Sequence, residues 1–251
     1  MGLKLDLTAV YVIWLREIKK FWREKTRIIT SIAQPLMWLF IMGVGLGSSF
    51  RGLGFDYLGY VFPGIVSMTV LFASINSGLG VVWDREFGFF KEILISPVSR
   101  AAIVMGKILA GSTTAMIQGL LIFLAAPLVG VILTPAVVIK GLLAMFLLAF
   151  SLSSAGVLFG VKISTFHSYS VVMNFVVMPL FLLSGAVFPL QGVPFWIELA
   201  SRWNPVSYGV DVMRLAIRGY GLFSAPVSIG ILLGVALIAG AGAVYCLQRE
   251  G

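Results

Sequence analysis

The chain has 251 residues, of which 59% are hydrophobic and 11% charged, against roughly 25% charged for an ordinary soluble domain. Its 18 Lys and Arg outnumber 10 Asp and Glu, a net charge of +8, and the charges leave six uninterrupted runs at 28–50, 57–83, 108–139, 141–161, 163–197 and 219–248. Each run is long enough to cross a bilayer core, which takes about 20 apolar residues; a soluble fold and a separate soluble domain are therefore excluded. A transmembrane barrel is excluded too, because no segment alternates polar and apolar over the length of a spanning strand. The expected class is an all-α polytopic membrane protein with six transmembrane helices, in one domain over 28–248, preceded by a cytoplasmic helix within 1–27.

In that first segment Trp14, Ile18, Phe21 and Trp22 recur at helical spacing, with Arg16, Lys19, Lys20 and Arg23 on the remaining circumference. The pattern predicts an amphipathic helix over 5–25, lying along the headgroups or serving only as a basic flank that sets topology. Asp6, Glu17 and Glu24 interrupt it, which argues against a cleaved signal peptide. Spans one and two follow over 28–50 and 57–83.

Between spans two and three, the charged stretch 84–100 places Phe89, Phe90, Ile93 and Leu94 on one face, and Pro97 stops the helix. This predicts a short amphipathic helix parallel to the membrane, able to dock in a partner's groove or to rest on headgroups. The run from 108 is too long for one helix; Pro127, Gly130 and Pro135 mark a turn, so span three is expected at about 106–128 and span four at 136–161, with Lys140 snorkelling outward. Pro179 is expected to bend span five, and Pro189, Gly192 and Pro194 to end it, with closure near 188. The stretch 189–218 is too charged to cross. With Trp196 and Trp203 and a break at Asn204-Pro205, it reads as an outer re-entrant or interfacial hairpin before span six.

Six spans put both termini on one side, which collects thirteen of the 18 Lys and Arg; Arg51, Lys140, Arg202, Arg214 and Arg218 lie opposite. The positive-inside rule makes the richer side cytoplasmic, in a multi-pass protein of the plasma (inner) membrane. The basic excess is thereby assigned to topology and not to nucleic acid.

The runs contain no Asp or Glu, a lone histidine (His167) and a lone cysteine (Cys246), so neither a metal site, a disulfide nor a catalytic pair is expected, and the chain is not read as an enzyme. The string G-x-x-x-x-G-K-[ST] fails at Ala101 and Ile108, so no nucleotide site and no cofactor are expected in this chain. Asn76, Gln118 and Asn174 are the candidate polar residues of a pathway, with interhelical hydrogen bonding as the alternative. Gly43/Gly47, Gly156/Gly160 and Gly230/Gly234 have G-x-x-x-G spacing, read as packing within the chain before contacts between copies.

Arg85, Glu86, Gly88, Glu92, Ile93, Leu94, Pro97 and Arg100 form a pattern that resembles the ABC-2 type permeases, the membrane subunits of a class of ATP-binding cassette exporters. Ser184-Gly185-x-x-Phe188-Pro189, then Asn204-Pro205-x-x-Tyr208 with Asp211 and Arg214, is similar to that family's second signature, and Phe62-Pro63-Gly64 also fits; the resemblance covers about 10–247. The chain looks most like the drug-resistance and nodulation-factor export permeases and less like the polysaccharide and teichoic-acid exporters. The resemblance implies a homodimer moving an amphipathic or lipid-linked substrate or a drug, powered by two separate subunits that bind ATP and Mg. Arg85, Glu86, Gly88, Phe89, Phe90, Glu92, Leu94, Pro97 and Arg100 would contact those subunits through a coupling helix at 84–100. Phe188, Pro189, Trp196, Trp203, Asn204, Pro205 and Tyr208 would form an outer gate touching membrane lipid. From a different class, a stand-alone channel or lipid scramblase would also need no intramembrane carboxylate.

Overall fold

A computed structural model describes residues 2–51, 56–88 and 97–249. Among these every regular element is helical. Helix α1 (Gly2–Arg23) packs chiefly on α5, and α2 (Lys25–Arg51) follows with Pro35 inside it. Helix α3 (Tyr57–Asn76) starts at Asp56, whose carboxylate accepts the Gly59 N–H, and after a turn at Ser77 and Gly78 the chain resumes as α4 (Leu79–Glu86). Helix α5 (Arg100–Phe123) is capped by Ser99, and a 3₁₀ turn (Ala126–Val129) ends at Gly130, φ +76°. Helix α6 (Pro135–Lys162) is capped by Thr134 with proline at its first position, where a missing N–H costs nothing. Next come α7 (Phe166–Val172), a π-helical turn (Met173–Val177) and α8 (Met178–Leu182). The chain closes with α9 (Phe195–Trp203), α10 (Pro205–Arg218) and α11 (Ala225–Gln248).

Among the described residues four stretches are long and apolar enough to cross a membrane, Tyr57–Glu86, Arg100–Phe123, Pro135–Lys162 and Ala225–Gln248; Ile28–Gly43 and Phe166–Leu182 are shorter apolar helices. Their burial differs sharply: 89% of the apolar window in Tyr57–Glu86 is inside the molecule, against 28% for Ala225–Gln248. Helix α3 is therefore the centre of the bundle, and α11 turns Leu237 and Ile238 outward. Several core hydroxyls bond within their own helix, Ser67 Oγ donating to Pro63 O and Ser112 Oγ to Ile108 O.

Close backbone approach fixes the kink between α3 and α4. A Cβ on Gly156 would lie 2.7 Å from Ile75 O, and one on Gly160 2.3 Å from Gly78 O. This glycine pair is packing within the chain, whereas Gly230 and Gly234 meet nothing within 4 Å.

Among the boundaries that differ from the sequence expectation, two have a clear local cause. The third apolar helix runs from Arg100 to Phe123, not from 106 to 128, because Ser99 Oγ accepts the Ala102 N–H and starts it early. The helical chain through Phe166 ends at Leu182, not near 188, since Gly185 takes φ +74° and turns the chain back onto α3. Pro179 bends that chain by a specific route: just before it the ladder widens, Met178 N–H reaching back to Met173 O.

Candidate coupling junction, polar cleft and hairpin seam

Lys107 lies in the second turn of α5 and is 6% exposed. A buried ammonium needs carboxylates, and two other helices supply them. Its Nζ is 2.7 Å from Glu17 Oε1 on α1 and 2.5 Å from Asp84 Oδ2 on α4. Arg16 closes the ring, 2.8 Å from Glu17 and 2.7 Å from Asp84. Burial by itself would raise the Glu17 carboxyl, but Lys107 and Arg16 outweigh it and bring it down to about 2. Two cations and two carboxylates thus join α1, α4 and α5 as a neutral unit.

The flanks of the 84–100 stretch are held by the same helix. Trp83 stacks on Phe87 at 4.9 Å, meets Phe166 edge-on at 4.7 Å, and lies under Lys20 Nζ at 5.3 Å. At the far flank the Ser99 N–H donates to Asp6 Oδ1 at 2.9 Å. Trp14 Nε1 adds a hydrogen bond to Thr113 Oγ1 at 3.0 Å. Helix α1 therefore clamps both the departure and the return of this stretch.

Beside the junction is a cavity of about 550 Å³ lined by Glu17, Lys20, Asn76, Trp83, Lys107 and Thr114, among others. A second, of about 200 Å³, lies between α2, α3 and α5 and is lined by Thr30, Ser31, Gln34, Thr69, Asn76 and Gln118 with apolar neighbours. Asn76 lines both. Gln118 is 4% exposed and its Nε2 has no hydrogen-bond partner. A polar wall with an unused donor, set among apolar helices, can take the hydrogen-bonding part of an amphipathic molecule.

At the opposite end of α3, the loop after α8 and the α9–α10 pair form a seam. Tyr60 Oη and Arg214 Nη2 both donate to Gly185 O at 2.8 Å, and Tyr57 Oη donates to Val187 O at 3.0 Å. A Cβ on Gly64 would come 2.3 Å from Ala186 O, so the Phe62-Pro63-Gly64 string has a steric reason. Asn204 Nδ2 donates to Leu180 O at 2.6 Å while its Oδ1 caps α10 by accepting Val206 N–H at 2.9 Å. Tyr208 Oη donates to Arg202 O at 2.7 Å, and Asp211 accepts the Leu222 and Phe223 N–H groups at 2.5 and 3.1 Å. Asp56 is held below the usual carboxylate range: slight burial raises it, and the Gly59 N–H and Arg218 at 2.5 Å more than reverse that.

The family model for ABC-2 type transporters matches residues 8–217. The chain belongs to the ABC-2 type transporter family. This ABC-2 permease is 30% identical over 213 residues to the transport permease ycf38 of Cyanophora paradoxa, covering 83% of this chain and 73% of the relative. It is 28% identical over 235 residues to the inner membrane transport permease YadH of Escherichia coli K12, covering 90% and 89%. With nodulation protein J of Rhizobium leguminosarum bv. trifolii it shares 24% over 215 residues, 82% of this chain and 79% of that one. Members of the family are membrane permeases of ABC transporters and work with ATP-binding cassette subunits that carry the ATPase.

In the ABC-2 permease, Arg85 and Arg100 are half-buried, while Glu86, Gly88 and Pro97 are exposed at the flanks of the stretch; Phe89, Phe90, Glu92 and Leu94 lie outside the described residues. Asn76 and Gln118 share one cleft, and Asn174 stands apart in the π-helical turn, donating to Ser170 O in its own helix. Trp196 and Trp203 are exposed, at 64% and 83%, while Asn204 and Tyr208 are buried in the seam, with Pro189 and Phe188 half-buried or nearly so at its edge. Sequence reasoning overlooked the Arg16–Glu17–Asp84–Lys107 junction. Part of the signal was present: a lysine at the start of an apolar run demands a carboxylate, and Glu17 and Asp84 had been given no partner.

Proposed function

We propose that the chain is the membrane subunit of an ATP-driven exporter, working as a homodimer in a plasma (inner) membrane with both termini cytoplasmic. Two ATP-binding cassette subunits dock beneath it on the 84–100 stretch, and ATP and Mg are bound there, in the partners. The observation that carries this reading is the clamp: Asp84 and Ser99, which flank that stretch, are tied to Arg16 and Asp6 of α1. A push on that stretch is then delivered at its flanks to α1, α4 and α5 together. ATP does work only if the partners hold two arrangements of this unit with different affinity.

The cargo class follows from the cleft. Its Asn76, Gln118 and Gln34 amides sit among Met68, Phe72 and Ala73, which suits an amphipathic or lipid-linked molecule or a drug. The α9–α10 hairpin acts as the outer gate, with Trp196 and Trp203 in lipid.

The test is affinity purification of the chain from native membranes in mild detergent, followed by mass spectrometry and an ATPase assay. A near-stoichiometric ATP-binding subunit with ATPase activity is the expected result. Glu86→Ala with Glu92→Ala should lower that recovery or the coupled ATPase while membrane insertion persists. A clean preparation without a partner, active in liposomes without nucleotide, would replace the exporter by a channel or scramblase.

A further inference from the structure

Arg214 is 2% exposed, and its environment is unusual for a buried cation. Its guanidinium lies 4.3 Å over the Tyr60 ring and gives one N–H to Gly185 O. Its Nε has no partner, and among the described residues it forms no ion pair. The carboxylate one turn earlier, Asp211, feels its charge but is engaged by the Leu222 and Phe223 N–H groups, and Asp56 is engaged by Arg218. A guanidinium removed from water without a carboxylate is costly, so its burial calls for an explanation.

The space next to it supplies the reason. A cavity of about 230 Å³ is lined by Tyr60, Leu190, Gln191, Arg214, Tyr220 and Leu222. Gln191 and Tyr220 are exposed and can donate at its mouth, Arg214 is buried, and Leu190 and Leu222 are apolar walls. A planar cation in the wall, without an ion-pair partner among the described residues and flanked by neutral donors, is matched to an oxyanion. Asp211 nearby lowers the net positive charge, which favours a single negative charge over two.

We propose that this cavity binds a monoanionic oxyanion, a phosphodiester or a carboxylate, with Arg214 as its charge partner and Tyr220 and Gln191 as donors. The anion reaches it either as the headgroup of an amphipathic molecule, whose chain lies along Leu190 and Leu222, or as a free ion. The site does not depend on the exporter reading, and its test measures binding alone.

The purified full chain in maltoside micelles is titrated calorimetrically with dihexanoyl-phosphatidylglycerol, with dihexanoylglycerol and with inorganic phosphate. Saturable binding of the phosphatidylglycerol without binding of the glycerol is expected, and Arg214→Gln should weaken it by about tenfold or more. Competition by inorganic phosphate would identify a free ion as a sufficient ligand; its failure to compete would assign the site to amphiphile headgroups. If Arg214→Gln is not monodisperse, Tyr220→Phe with Gln191→Ala carries the test and should also weaken binding severalfold. Absence of binding to the wild type, equal binding of the uncharged lipid, or variants that bind like the wild type would overturn the proposal.

Discussion

Lys107 Nζ sits 2.5 Å from Asp84 Oδ2, two residues 23 positions apart that close a charged contact at the junction of α4 and α5. Both are largely shielded, with side-chain exposures of 6% and 12%, so neither charge is compensated by water. Removing Lys107 leaves the two shielded carboxylates, Glu17 and Asp84, to share Arg16 alone, an uncompensated negative charge in the junction.

Lys107→Met should therefore destabilise the protein by about 3–5 kcal/mol, read as a lower thermal midpoint in detergent. The double variant Lys107→Met, Asp84→Asn should recover part of that loss, because Glu17 then keeps Arg16 alone as its partner. A double variant no more stable than Lys107→Met would show that the two charges do not interact energetically.

The Glu17 carboxyl titrates near 2 in the folded chain against an ordinary 4.5. A depressed carboxyl contributes stability that is complete above about 4.5 and disappears as pH falls through about 2. Glu17→Gln should consequently be less stable than the wild type at pH 6, and the gap should narrow steadily between pH 4.5 and pH 2. Thermal unfolding across that range, with a gap independent of pH, would remove Glu17 from the ion pair.

Asn204 has two separate duties, which substitution can divide. Asn204→Ala loses both the α10 cap and the bond to Leu180 O, at a cost of about 1–2 kcal/mol. Asn204→Asp keeps a capping oxygen but has no N–H for the carbonyl, so it should fall between alanine and wild type on the same thermal scale.

Gly156→Ala would drive a Cβ against the Ile75 carbonyl, a backbone atom that cannot swing aside, and Gly230→Ala meets open space. The first should lower the thermal midpoint markedly. The second should leave it unchanged or slightly raised, since alanine favours helix over glycine by about 1 kcal/mol. Equal effects would refute the kink-packing account.

Much of the architecture was legible in the residues because it rests on local properties. Run length between charges marked the apolar helices, Pro179 marked the bend, and Asn204-Pro205 marked the break between α9 and α10, since a proline acts on its own turn whatever surrounds it. The amphipathic period of α1 was visible for the same reason. Helix ends were less so: Ser99 starting α5 and Gly185 stopping the α8 segment are single-residue effects that compete with a continuing apolar pattern.

Partnership is a different matter, because it depends on which helices come to lie side by side. Glu17 and Lys107 are 90 positions apart, Asp6 and Ser99 are 93 apart, and Arg214 reaches Gly185 across 29. A charge in a linear chain shows that a partner is required without saying where it is. Only the packing of α1 on α5, and of the α10 helix on α3, brings Glu17 to Lys107 and leaves Arg214 in a cavity wall without an ion-pair partner among the described residues.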